Sequence, residues 1–94
     1  MEFEYDPEKR RKVLEERGLD IARASEVFAG FHLHRADPGH STADEMRFVE
    51  LGMLDDVVVI VAWTKRGKRH RIITMWKASS REREKYFEAR DRAG

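Results

Sequence analysis

The sequence predicts an α+β domain: an antiparallel sheet of about four strands, packed with two N-terminal helices and one C-terminal helix. Three observations carry this prediction. "VVVIVAWT" (Val57 to Thr64) is an unbroken, largely β-branched run suited to a central strand. "KRGK" then offers a glycine for a tight loop into a second alternating run, His70 to Trp76, which makes a hairpin. Helix start and stop signals fall before and after a four-stranded antiparallel run rather than within it. With 94 residues there is enough chain for one core, so residues 1–94 are expected to form a single domain.

The elements follow in order. "FEY" is a short, edge-like strand, and Asp6-Pro7 supplies an N-cap side chain followed by proline at the first helical position. The first helix should run from Pro7 to Arg17 and stop at Gly18, with a thin apolar face of Val13 and Leu14. Ile21, Ala24, Val27 and Phe28 repeat at helical spacing and predict a second helix over 21–28, ended by Gly30. Phe31 to Arg35 alternates as a strand, whereas "ADPGHSTADE" has turn residues and no apolar period, and is expected to be a mobile loop. Arg47 to Leu51 alternates again, with a turn expected over Gly52 to Asp56. After the hairpin, Ser79 and Glu82 have the spacing of a capping box, opening a last helix that continues to about Asp91.

Composition narrows the functions open to such a domain. Apolar residues are 40% of the chain and charged residues 39%, which fits a modest core under an ionic surface. There is no cysteine, so disulfides, thiolate metal sites and thiol catalysis drop out, and a reducing, cytoplasmic setting fits. No apolar run is long enough to span a bilayer and the acidic start lacks a signal-peptide core, so neither a membrane nor secretion is expected. Phosphate-loop, dinucleotide and serine-hydrolase signatures are missing. The net charge of +1 hides an asymmetry. Residues 1–64 hold 8 Lys/Arg against 14 Asp/Glu, and residues 65–94 hold 11 against 4. A basic end of this kind suits nucleic acid or an acidic partner, unless the two halves neutralise each other across the fold.

Within the basic end, Arg69, Arg71, Ile73, Met75 and Lys77 share one strand parity, which places Arg71 and Lys77 at opposite rims of one packed face. Lys77 and Arg81 flank the predicted helix start, where free N–H groups favour a phosphate, although Glu82 competes for those same donors. An anion site and an ordinary solvated helix both fit. Trp63 and Trp76 can fill a core or stack on bases. His32 and His34, with Asp37 and His40 downstream, form only a weak metal pattern, and no metal or cofactor is expected. If the basic end acts on RNA, the ribose 2′-hydroxyl can serve as nucleophile, and the protein need supply only a base, cations and an acid.

"FEYDPEK", "RGLDIARASEVF", "EMRFVELG" and "AWTKRGKRHRIITMWKASSREREKYFE", in that order over residues 3–87, resemble the BrnT family of bacterial toxins. The resemblance implies a RelE-like fold and a metal-independent endoribonuclease that blocks growth by cutting RNA. It also implies a BrnA-like ribbon-helix-helix antitoxin partner, through which alone operator DNA is engaged. The family's polar positions fall on Arg47, Thr64, Arg71, Lys77, Arg81, Glu82, Arg83 and Tyr86, with Asp6 and Lys9 in the opening signature. Arg71, Lys77 and Arg81 are implied as phosphate or transition-state contacts, Arg47 as a further cation, and Tyr86 as an acid or base. Two stretches depart from the family pattern. Val13-Leu14-Glu15-Glu16-Arg17-Gly18 replaces Asn-x-x-Lys-His-Gly, making Arg17 a candidate substitute cation. Thr74-Met75-Trp76-Lys77-Ala78 replaces Ser-Ala-Arg-Lys-Ala, putting Trp76 where an arginine often stands. The alternative function is therefore a weak or inactive toxin-fold module that binds antitoxin or RNA through its basic end.

Overall fold

The first helix forms as its capping residues dictate. In the computed structural model, which describes residues 1–94, α1 spans Pro7–Arg17. Its N-cap, Asp6, accepts from the Glu8 N–H, and Gly18 closes it at φ 67°, a conformation that suits glycine. Val13 is buried as its helical position requires, whereas Leu14 is 45% exposed and takes little part in the core. Asp20 then caps a 3₁₀ turn, Ile21–Arg23, that leads directly into α2, Ala24–Ala29. The predicted second helix is thus a tight turn followed by six α-helical residues. Of its predicted stripe, Ile21, Ala24 and Val27 are buried and Phe28 is half-buried against the same core.

The sheet is larger and less regular than the sequence suggests. Strand β1 (Glu2–Tyr5) pairs in parallel with β5 (Arg69–Lys77). Antiparallel β2 (His32–Ala36), β3 (Arg47–Leu54) and β4 (Val57–Arg66) complete the order β1-β5-β4-β3-β2. Five strands in a mixed sheet therefore replace the expected antiparallel four. The chain's first residues cover the edge of β5 that would otherwise stay open, with Phe3 and Tyr5 turned to the core.

Both hairpins are tight. Asp55 and Asp56 both adopt positive φ, 49° and 62°, as a two-residue type I′ connection demands. Gly67, at φ 60°, starts the other two-residue turn. Gly52 does not belong to the turn predicted around it. It lies within β3, where an added Cβ would meet Val27 Cγ1 at 2.8 Å. Its missing side chain lets α2 press onto the sheet.

The two faces of the sheet differ. One is covered by α1 and α2 over a cluster of eleven buried residues that includes Val27, Val59, Val61, Trp63, Ile72 and Met75. The other carries a cluster of only three, Val49, Ile60 and Ala62, with Trp76 and Ile73 packed beside them. Helix α3 (Ser80–Ala93) starts from the predicted capping box, in which the Glu82 N–H donates to Ser79 Oγ and the Ser79 N–H to Glu82 Oε1. It roofs part of this thinner face. No helix is long and apolar enough to cross a membrane.

Candidate functional site

Strand register builds the site on the thinner face. Arg47 pairs with Thr64, Thr64 with Arg71 and Arg71 with Glu4, so one row of side chains crosses β3, β4, β5 and β1. Two strand spacings put the Arg47 and Arg71 backbones about 10 Å apart. Arg71 Nη1 donates to Glu4 Oε2 at 2.7 Å. Thr64 is buried and turns its hydroxyl to the Met46 carbonyl at 2.7 Å, which steadies the start of β3.

Arg47 is half-buried on this face. Its Nε is buried without a hydrogen-bond partner and lies 3.8 Å from Asp37 Oδ2, too far for a hydrogen bond. A buried guanidinium N–H is rarely left unpaired, so Arg47 is a donor poised for an acceptor. Asp37 also accepts from His40 Nδ1 at 3.0 Å. An acceptor carboxylate there fixes the proton on Nδ1 and leaves the Nε2 lone pair free for chemistry. Asp37, His40, Arg47, Arg35, Trp76 and Glu82 line one groove of about 230 Å³.

The loop that brings His40 here has its own fastenings. A 3₁₀ turn at Pro38–His40 is held as Ser41 Oγ donates to the Asp37 carbonyl and accepts from the Arg47 N–H. Thr42 and Glu45 close the remainder through hydrogen bonds between their N–H groups and the Glu45 carbonyl and Thr42 hydroxyl. The serine and threonine of "ADPGHSTADE" thus act as local hydrogen-bonding groups in a turn. The D-P-G-H spacing was the available signal for the Asp37 and His40 pair, which sequence reasoning treated only as weak metal-site residues.

The site residues expected from sequence do not all converge. The register shifts after Ala62, which pairs with Thr74 while Trp63 pairs with Ile72, so Ile73 is the extra residue of a β-bulge. The bulge breaks the parity expected to unite Arg71 with Lys77. Met75 joins Ile72 in the large core and Lys77 pairs with buried Val59, whereas Trp76 pairs with Ile60 on the groove side. Lys77 and Arg81 are exposed and form no ion pair, and neither they nor Arg71 line the groove. Tyr86 is 2% exposed and its hydroxyl donates to the Phe31 carbonyl at 3.0 Å, a contact that fastens α3 to the start of β2. Arg17 Nη1 donates to Thr74 Oγ1 and the Met75 carbonyl, clamping the edge of β5 beyond the end of β1.

The basic end is not neutralised by the acidic half. Of the cations after Thr64, only Arg66, with Glu45, and Arg71, with Glu4, form ion pairs. The two tryptophans also part company. Trp63 is in the large core, where its Nε1 donates to Glu50 Oε2 at 2.7 Å, and Trp76 stands at the groove.

Sequence reasoning missed Glu50. It is 1% exposed, yet His34 Nδ1 and His32 Nδ1 also reach its carboxylate, at 2.6 and 2.9 Å. The two histidines do share a strand face, and what they share on it is this carboxylate. No group of three or more potential ligands is gathered for a metal ion. His70 stacks on Trp63 at 4.2 Å in the same core. Burial, reinforced by nearby Lys65, holds its imidazole below the ordinary histidine range.

The chain matches a family model described as ribonuclease toxin, BrnT, of type II toxin-antitoxin system, over residues 5–82. The matched span runs from the end of β1 into the first turn of α3 and contains every residue that lines the groove. No curated protein matches the chain.

Proposed function

As the chain belongs to the BrnT family of ribonuclease toxins of type II toxin–antitoxin systems, we propose that it cleaves RNA endonucleolytically, without a metal, in the groove beside Arg47. The observation that carries this is the buried, unpartnered Arg47 Nε set against the Asp37 and His40 pair. His40 Nε2 takes the proton of the ribose 2′-hydroxyl, whose oxygen attacks the adjacent phosphorus as the 5′-oxygen leaves and takes up a proton from solvent water. The products are a 2′,3′-cyclic phosphate and a 5′-hydroxyl end.

Arg47 and Arg71 stabilise the negative charge that develops on the phosphoryl oxygens, Arg71 exchanging Glu4 for the phosphate. Arg35 adds a third cation at the groove wall. Lys77 and Arg81 hold flanking phosphates outside the groove. Tyr86 supports this arrangement through α3 and does not exchange protons with substrate, because its hydroxyl is engaged within the fold. A type II toxin is paired with an antitoxin, here proposed to be a BrnA-like ribbon-helix-helix protein, and cleavage of cytoplasmic RNA arrests growth until that partner binds.

Incubation of purified protein with single-stranded RNA in EDTA tests the reading. Cleavage should persist in EDTA, leave 2′,3′-cyclic phosphate ends, and fall about 100-fold in Arg47→Ala and in His40→Ala. Cleavage that needs a divalent ion, or survives both substitutions, would refute it. Intact RNA combined with salt-dependent RNA binding would leave a binding module in its place.

A further inference from the structure

The groove does not end at its polar mouth. It continues beneath α3 into a slot of about 260 Å³, close to the small end of ligand clefts, with Arg35, Val49, Ile60 and Glu82 common to both parts. Leu33, Leu51 and Ile60 give the slot an aliphatic floor, and Lys85 reaches it from α3. A purely phosphate-binding protein has no use for an apolar slot next to its cations.

We propose that this slot holds one unpaired nucleobase beside the cleaved phosphate, and that Glu82 makes guanine the favoured base. The proposal rests on RNA occupying the groove and goes further by assigning a specificity residue. Three features lead to it. A flat aromatic base suits an aliphatic floor that a charged sugar-phosphate does not. The slot adjoins the Arg47 cations, so a base enters it while its own phosphate stays in the polar half. Its edge groups include both signs, with the Glu82 carboxylate facing a space shared with Arg35 and Lys85.

Only one Glu82 oxygen is engaged by the cap, Oε1 with the Ser79 N–H, which leaves Oε2 free to accept. Guanine alone among the four bases presents two adjacent N–H donors to a carboxylate with a carbonyl acceptor alongside for a cation. Uracil offers a single N–H, and adenine and cytosine set a ring-nitrogen lone pair beside their amine. Bases in a duplex have these edges occupied, so the slot takes single-stranded RNA.

The test measures binding without cleavage. Fully 2′-O-methylated hexanucleotides, identical except for G, A, C or U at one position, are titrated by fluorescence anisotropy. The guanine oligonucleotide should bind about tenfold more tightly than the others. Glu82→Gln keeps a residue able to close the capping box, so the fold and melting temperature should persist while the preference falls below about threefold. Leu33→Trp, which fills the slot from an edge strand, should weaken all four oligonucleotides. Equal affinity for the four bases, a guanine preference that survives Glu82→Gln, or unchanged binding by Leu33→Trp each overturns the proposal. Because no bond is cut, a negative nuclease assay leaves this result standing, and cleavage with no base preference sinks the slot alone.

Discussion

Two charged residues three positions apart on β3 show how differently the faces of this sheet are used. Glu50 points into the helix-covered face, where Trp63, His32 and His34 all turn hydrogen bonds onto its carboxylate. Arg47 points to the other face, where its Nε is buried with no hydrogen-bond partner and Asp37 stands 3.8 Å away. A buried polar group costs little when paired and much when left alone. One face therefore gathers polar groups onto one shared carboxylate, although His70 Nδ1 there is also buried without a hydrogen bond, and the other leaves an Arg47 donor open. Substitutions on the first should change stability and leave cleavage alone, and substitutions on the second should do the reverse.

The largest effect expected from this contrast is at Glu50. Glu50→Ala strands three donors and opens a cavity, and should cost about 3–5 kcal/mol, seen as a fall in the denaturant midpoint. Preserved stability would show that the helix-covered face does not depend on its polar centre. Next comes Arg47→Ala, whose 100-fold loss of cleavage should be accompanied by a stability change within about 0.5 kcal/mol, because no protein hydrogen bond to Nε is lost. A large drop in melting temperature would make Arg47 a scaffold residue instead.

Gly52→Ala drives a methyl into Val27 and should cost about 1–3 kcal/mol by pushing α2 off the sheet, again with cleavage intact in the folded fraction. The smallest effect concerns pH. Folded His70 resists protonation, so the unfolded chain binds a proton more readily as pH falls. Stability contributed by neutral His70 is complete above the ordinary histidine value of 6.5 and declines below it until the folded imidazole itself titrates. The slope from this one group cannot exceed about 1.4 kcal/mol per pH unit. His70→Phe should flatten the decline between neutral and mildly acidic pH, and an unchanged slope would assign it to other groups.

Much of this architecture could be read locally. Asp6, Pro7 and Gly18 fixed α1, the Ser79 and Glu82 spacing fixed the start of α3, and the β-branched run fixed β4, because caps, turns and strand propensity act over a few neighbouring residues. The family signature likewise lies in the order of short motifs. The candidate site was less legible. Arg47 and Arg71 belonged to recognisable motifs, but His40 and Arg35 carried no local sign that they meet at a groove, and Glu82 looked only like a cap.

Sequence by itself determined which segments become helices and strands and where the positive charge gathers, since both depend on residue type and short spacing. Tertiary structure alone decided which side chains share a face. An alternating pattern assumes an unbroken ladder, and the single extra residue at Ile73 exchanges Lys77 for Trp76 beside the groove. It also decided that β1 docks on β5, setting Glu4 against Arg71, and that Asp37 faces Arg47 with His40 lining the same groove. Those meetings depend on backbone pairings between residues far apart in the chain, which no local period encodes.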